Sequence, residues 1–199
     1  MNDPLFDNNP ITVQVLGICS ALAVTTQMKP SLVMAIAVVI VLAVSNVVTS
    51  LLRNNIPNQV RLIVQLVIIA TLVTVVELSL KAISYDIYKQ LSVFIGLIIT
   101  NCIIMGRLEA FAMGNTPWKS FIDGLGNGLG YGLILIVVSA IRELFGKGAL
   151  MGFPIIAAIS WLSWYTPNNL MVLPASALLI IGVMIWIHRS RNPKLVDIS

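Results

Sequence analysis

The sequence predicts an all-α integral membrane protein: six transmembrane helices built as two inverted three-helix repeats, the first helix of each short or broken. Three observations lead there. The 199 residues are 58% hydrophobic and only 10% charged, where an ordinary soluble domain carries roughly 25% charged residues; mean hydropathy is +0.95. Apolar runs of membrane-crossing length recur along the whole chain. The only two cysteines, Cys19 and Cys102, fall at matching places in its two halves.

A span of the hydrocarbon core takes about 20 mostly apolar residues. The first predicted span, 11–26, is short and is closed by Lys29 and Pro30. The second, 32–52, ends at Arg53-Asn54-Asn55, and the third, 60–80, ends near Lys81. Residues 85–89, Tyr-Asp-Ile-Tyr-Lys, are expected to form a polar, aromatic interface loop. The fourth span, 91–105, is again short and stops at Gly106-Arg107. The fifth covers 121–144 and the sixth 170–187, with 151–169 between them. That connection holds Trp161, Trp164 and Tyr165, as expected of a segment lying at the membrane interface. Lipid leaves only helices or closed-barrel strands, and runs this continuous are not barrel strands, which alternate over ~10 residues.

The whole of 1–199 therefore reads as one transmembrane domain, with repeat one at about 11–82 and repeat two at about 91–189. Three helices per half is an odd number, so the second half enters the membrane from the opposite side. Short or interrupted segments at corresponding positions of two halves point to an inverted repeat with a site near the midplane. Residues 1–10 carry Asp3 and Asp7 rather than a basic stretch, so no cleavable signal is expected. The basic residues divide seven to five between the two sides, Arg142 counted with the five, which places both termini in the cytoplasm. The net charge of +4 is spread along the loops and does not suggest nucleic acid.

Several groups could carry chemistry. Free cysteines are most often small buried hydrophobes. Symmetric placement opens a second reading, in which Cys19 and Cys102 meet near the bilayer centre as soft ligands for iron–sulfur or another thiophilic metal. A cluster takes four sulfurs and one chain supplies two, so a partner must give the rest. A disulfide is a third reading, disfavoured by the cytoplasmic redox poise. The run from Asp123 to Gly132, Asp-Gly-Leu-Gly-Asn-Gly-Leu-Gly-Tyr-Gly, is not a nucleotide loop, because no strand precedes it and no Gly-Lys-Ser/Thr follows. On a helix, Gly124, Gly128 and Gly132 share one face, and small residues at this spacing let helices approach closely.

Glu77, Asp123 and Glu143 are the acidic residues within or beside spans. Glu77 is expected to pair with Lys81 four residues on, and Asp123 to open the fifth helix at its positive end. Asp123 and Glu77, with Gly124, Gly128 and Gly132, remain candidate ion-pathway or packing residues. Asn46, Gln65 and Asn101 are expected to hydrogen-bond between helices, and His188 to lie at the surface. No self-contained catalytic machinery is present.

Four segments resemble one family. Asp7-Asn8-Asn9-Pro10 leads into 14–26, Gln-Val-Leu-Gly-Ile-Cys-Ser-Ala-Leu-Ala-Val-Thr-Thr. Residues 53–61, 99–112 around Cys102 and 121–132 complete the set. Together they resemble the D-subunit family of the sodium-translocating NADH:quinone oxidoreductase, nearly from end to end. The Rnf complex, which moves electrons between ferredoxin and NAD, has a homologous E subunit sharing the cysteine motifs. The Asp-Asn-Asn-Pro start and the unbroken glycine run look more like the sodium pump.

The resemblance implies a multi-pass subunit of a bacterial inner-membrane enzyme complex, not catalytic alone. It implies pairing with a paralogous E subunit of opposite orientation. Two cysteines from each, here Cys19 and Cys102, would hold an intramembrane 2Fe-2S cluster. That cluster would take electrons from the NADH-oxidising F subunit and pass them to a flavin on the C subunit. The A and B subunits complete the complex; NAD, FAD, FMN, riboflavin and ubiquinone chemistry belong to those other subunits, and electron flow drives sodium export. A different class, an inverted-repeat secondary transporter with incidental cysteines, would predict no dependence on iron. A purely structural scaffold subunit is a further class; it predicts that cysteine variants assemble and still transfer electrons.

Overall fold

The computed structural model of the chain describes residues 11, 14–57, 59–83, 85–148 and 173–191. It is all-helical over that range. The first helix, α1 (Ile18–Val24), has only 7 residues, or about 10 Å at 1.5 Å per residue. It is a half-helix, as the short first run requires. Gly17 starts it in a left-handed conformation (φ 78°), and the Ala21 N–H closes the first turn on the Gly17 carbonyl at 3.1 Å. Extended Gln27 (φ −143°) separates it from α2 (Met28–Leu52). The Glu143 carboxylate accepts the Met28 N–H at 2.7 Å, satisfying one of the free donors that every helix start leaves.

The third and fourth helices are α3 (Arg61–Ile83) and α4 (Tyr85–Ile99). The chain then breaks at Thr100 and Asn101. It resumes as α5 (Cys102–Arg107) and continues as a π-turn over Leu108–Ala112. The long α6 (Pro117–Lys147) begins with proline at its start, where the missing N–H is harmless. It is closed by left-handed Gly148 (φ 70°), whose N–H reaches the Leu144 carbonyl. The last described helix is α7 (Pro174–Arg191). Among the described residues, Met28–Leu52, Arg61–Ile83, Phe94–Ala112 and Pro117–Gly146 are long and apolar enough to cross a membrane, and Pro174–Ser190 is a shorter apolar helix.

The centre of the fold is the α2–α6 seam. A Cβ built on Gly124 would lie 2.9 Å from the Ala43 Cα, one on Gly128 3.0 Å from the Val39 Cα, and one on Gly132 3.2 Å from the Ala35 Cβ. Advancing along α6 therefore means retreating along α2, so the two helices are antiparallel. The glycine stripe is a packing face, and it faces α2. Reciprocal grips close both ends of the seam. At the end of α2, Ser50 Oγ and Arg53 Nη1 donate to the Asn115 carbonyl, in the joint between the π-turn and α6, at 2.6 and 2.7 Å. At the end of α6, Arg142 Nη1 donates to the Leu22 carbonyl in the last turn of α1 and to Thr25 Oγ1 in the joint between α1 and α2, at 3.2 and 2.6 Å. Each long helix thus holds a joint next to the start of the other.

The structure corrects four local expectations. Residues 85–89 are not a loop but the start of α4. Glu77 and Lys81 turn to Tyr88 rather than to each other: the Tyr88 hydroxyl donates to Glu77 Oε1 at 3.2 Å, and Lys81 Nζ lies 5.7 Å from the Tyr88 ring centroid. That hydrogen bond to the carboxylate pushes the Tyr88 pKa above its ordinary value. Helix α6 starts at Pro117, so Asp123 sits in its second turn instead of opening it. Arg142 is no loop charge; it is fully buried. The expected interface segment 151–169 lies outside the described residues.

Candidate paired-cysteine site

The two cysteine segments are built alike. In each, irregular backbone gives way to a short helix, and the cysteine sits at or next to its first residue: Cys19 is the second residue of α1, and Cys102 is the first of α5. Asn101 caps α5, its Oδ1 accepting the Ile103 N–H at 3.3 Å. The approach to α1 is bent twice, with Val15 (φ 59°) and Gly17 (φ 78°) both left-handed. Such a conformation is unusual for a β-branched valine.

These segments meet. Gly17, Cys19, Ser20, Leu97, Thr100, Asn101 and Cys102 line one cavity of about 20 Å³, room for little more than a single water. Leu16 packs on Gly106, where an added Cβ would lie 3.1 Å from its Cδ1. A Cβ on Gly17 would come within 2.8 Å of the Tyr131 ring, so this position demands glycine both for its conformation and for its close neighbour. Cys19 and Cys102 are free and exposed on the surface of the chain. Helix starts carry the positive end of the peptide dipoles and favour negative charge nearby.

The donor set suits a thiophilic metal group in one specific way. Two soft sulfurs open on the same notch, and among the described residues no group of three or more His, Cys, Asp or Glu side chains is placed to hold an ion. The notch is too small to enclose a cluster. A thiophilic group larger than the notch would meet the two exposed sulfurs only from outside it.

The other candidates have different surroundings. Asp123 is paired with Arg107: Arg107 Nη2 bonds Oδ1, Arg107 Nε bonds Oδ2 at 3.0 Å, and Asn127 Nδ2 donates to Oδ1 at 3.0 Å. This pair ties α5 to α6 directly beyond Cys102. Glu109 of the π-turn accepts from Arg61 and from Gln65 Nε2, the latter at 3.2 Å, which ties in α3. The Arg107–Asp123 side chains are 15% and 13% exposed, those of Arg61–Glu109 36% and 38%. Arg107→Ala is accordingly expected to destabilise the chain by about 2 kcal/mol, short of a fully buried pair, and Arg61→Ala by less than about 1 kcal/mol. Thermal denaturation of the purified membrane complex reads the difference.

Asn46, Gln65 and Asn101 bond between elements as expected: Asn46 Nδ2 reaches the Ser120 carbonyl at 3.1 Å, and Asn101 Nδ2 the Tyr131 hydroxyl at 3.3 Å. Sequence reasoning missed Tyr131. The available signal was its place as the one aromatic residue in the glycine run, four residues after Asn127.

Fold and site define a class: a multi-span α-helical membrane protein in which two broken segments present a pair of sulfurs at one surface notch. The chain belongs to the Rnf-Nqr family. The model for that family, described as Rnf-Nqr subunit, membrane protein, matches residues 1–185. A relative from Shewanella piezotolerans, named as the D subunit of the Na(+)-translocating NADH-quinone reductase, is 58% identical over 194 residues, covering 98% of this chain and 92% of its own length. A relative of the same name from Serratia proteamaculans is 57% identical over 194 residues, covering 98% and 93%.

Proposed function

We propose that this chain is the D-type membrane subunit of a sodium-translocating NADH:quinone oxidoreductase in a bacterial inner membrane, with both termini cytoplasmic. In this reading Cys19 and Cys102 are two of the four ligands of a 2Fe-2S cluster shared with a paralogous E subunit. The cluster, when bound, supplies one-electron transfer between the NADH-oxidising F subunit and the flavin of the C subunit, with the A and B subunits completing the complex. The chain is read as a single transmembrane domain of two inverted halves, about 11–82 and 91–189.

The observation that carries the proposal is the convergence of the only two cysteines on one notch, both exposed and neither sealed by this chain. A buried packing role would hide them. An incidental pair would have no reason to meet across segments so far apart in sequence. The names of the relatives favour the sodium pump over its Rnf counterpart. The hydrocarbon core is ~30 Å thick, and two half-helices entering it from opposite sides would place their sulfurs near its middle, dividing one long electron transfer into two shorter ones.

The test is electron paramagnetic resonance on the dithionite-reduced, purified complex, together with iron analysis. Wild type is expected to give an iron–sulfur signal, and Cys102→Ala and Cys19→Ala to lose it while the complex still assembles. An unchanged signal and unchanged iron content in both variants would overturn the assignment.

A further inference from the structure

Besides packing against each other, the two cysteine segments are cross-linked by side-chain hydrogen bonds that meet at one atom, the hydroxyl oxygen of Tyr131. This side chain reaches in from the middle of α6 and is fully buried. Its oxygen lies 2.6 Å from Ser20 Oγ, next to Cys19, and 3.3 Å from Asn101 Nδ2, next to Cys102.

Donor counting fixes the direction of the chain of bonds. Ser20 has a single hydroxyl proton, and it is committed to the Gly17 carbonyl at 2.9 Å. The Ser20 oxygen must then accept, so Tyr131 donates to it. The Tyr131 oxygen in turn accepts the Asn101 amide proton. Asn101 also accepts the Ile103 N–H, the bond that starts α5. One directed series therefore runs from the cap of the Cys102 helix, through Tyr131, to the left-handed glycine that starts the Cys19 helix.

We propose that Tyr131 is a positioning residue: its hydroxyl pins the starts of the two cysteine helices to each other and so fixes the separation and orientation of the two sulfurs. The proposal rests on the reading of Cys19 and Cys102 as metal ligands. Being fully enclosed, the hydroxyl meets neither a partner chain nor the metal group; it acts through Ser20 and Asn101. Removing one oxygen atom severs both cross-links at once and leaves the ring, and its contact with Gly17, in place.

The experiment compares wild type with Tyr131→Phe in the complete purified complex. Three quantities are read: subunit composition with iron content, the paramagnetic resonance signal of the reduced cluster, and its midpoint potential by redox titration. Tyr131→Phe is expected to keep the full set of subunits and the full iron content, while the g-values and the potential shift and NADH-driven quinone reduction falls several-fold. Ser20→Ala, which cuts only one link, is expected to move the same quantities in the same direction by less. A Tyr131→Phe complex with the wild-type signal and potential would overturn the proposal.

Should Tyr131→Phe fail to assemble, Ser20→Ala decides: a shifted signal supports the bridge, whereas a wild-type signal, or failure of that variant as well, overturns it. The outcome is separable from that of the parent reading. Absence of a Cys102-dependent signal in wild type defeats the ligand assignment, whereas a wild-type signal unmoved by Tyr131→Phe defeats the bridge alone.

Discussion

A Gly124→Leu chain is expected to be missing from the assembled complex. At Gly124 the space a Cβ would need is already occupied by the Ala43 Cα at 2.9 Å and the Leu42 carbonyl oxygen at 3.1 Å. Both are backbone atoms of α2, and neither can turn away as a side chain can. Helix pairing in lipid has little hydrophobic drive, so close backbone approach across small residues carries much of it. Moving α2 away at this point would also strain the Asn46–Ser120 hydrogen bond beside it.

The other glycines grade the prediction. Gly128 meets the Val39 Cα at 3.0 Å, and Gly132 meets only the Ala35 Cβ at 3.2 Å. Alanine at 124, 128 and 132 should therefore cost about 3, about 2 and about 1 kcal/mol in turn, within the range for overpacked sites. Abundance of the chain in membranes and the thermal stability of the purified complex report that order. Normal assembly of Gly124→Leu would mean that the α2–α6 seam is not where this chain holds together.

Arg142→Ala is the second large effect. The side chain is fully buried at the end of α6, and its guanidinium serves three segments at once. Nη1 donates to the Leu22 carbonyl and Thr25 Oγ1, and Nη2 to the Leu173 carbonyl at the start of α7, at 3.1 Å. Truncation leaves those oxygens without their donor in a place water reaches poorly, and breaking a buried charged network costs about 3–5 kcal/mol. Arg142→Lys should recover only part of this, because an ammonium is a point charge without the planar fork that reaches separate acceptors. The readout is loss of the chain from detergent-solubilised complex on mild heating, in the order wild type, Arg142→Lys, Arg142→Ala, the last being the most sensitive. Equal resistance of Arg142→Ala and wild type would reduce the residue to a spectator.

Much of this architecture is legible in the chain's hydropathy. Long apolar runs mark α2, α3 and α6, and the short first run around Cys19 announces a half-helix because too few apolar residues precede Lys29 and Pro30. The glycine spacing gives the packing face of α6, since a four-residue period falls on one side of any helix. Polar residues mislead more. Arg142 looks like a loop charge from its neighbours, because what buries it comes from Leu22, Thr25 and Leu173, far away in sequence. Glu77 and Lys81 have the spacing of a helix pair, but Tyr88 competes for both, and nothing local to either announces it. The two cysteines are visible at once; that their segments touch is not, because contact depends on Gly17, Gly106 and Tyr131 fitting together in three dimensions.

The reciprocal grip of the two halves has a consequence for biosynthesis. As the chain emerges from the ribosome, the hinge between α1 and α2 appears early, with the Leu22 carbonyl and the Met28 N–H still lacking their partners. Those partners, Arg142 and Glu143, are made more than a hundred residues later. The first half therefore enters the membrane with its joint open and must wait. The Cys19 segment is likewise held in place only after Tyr131 has been synthesised. The segment that carries Cys19 is thus among the first to be made and the last to be set.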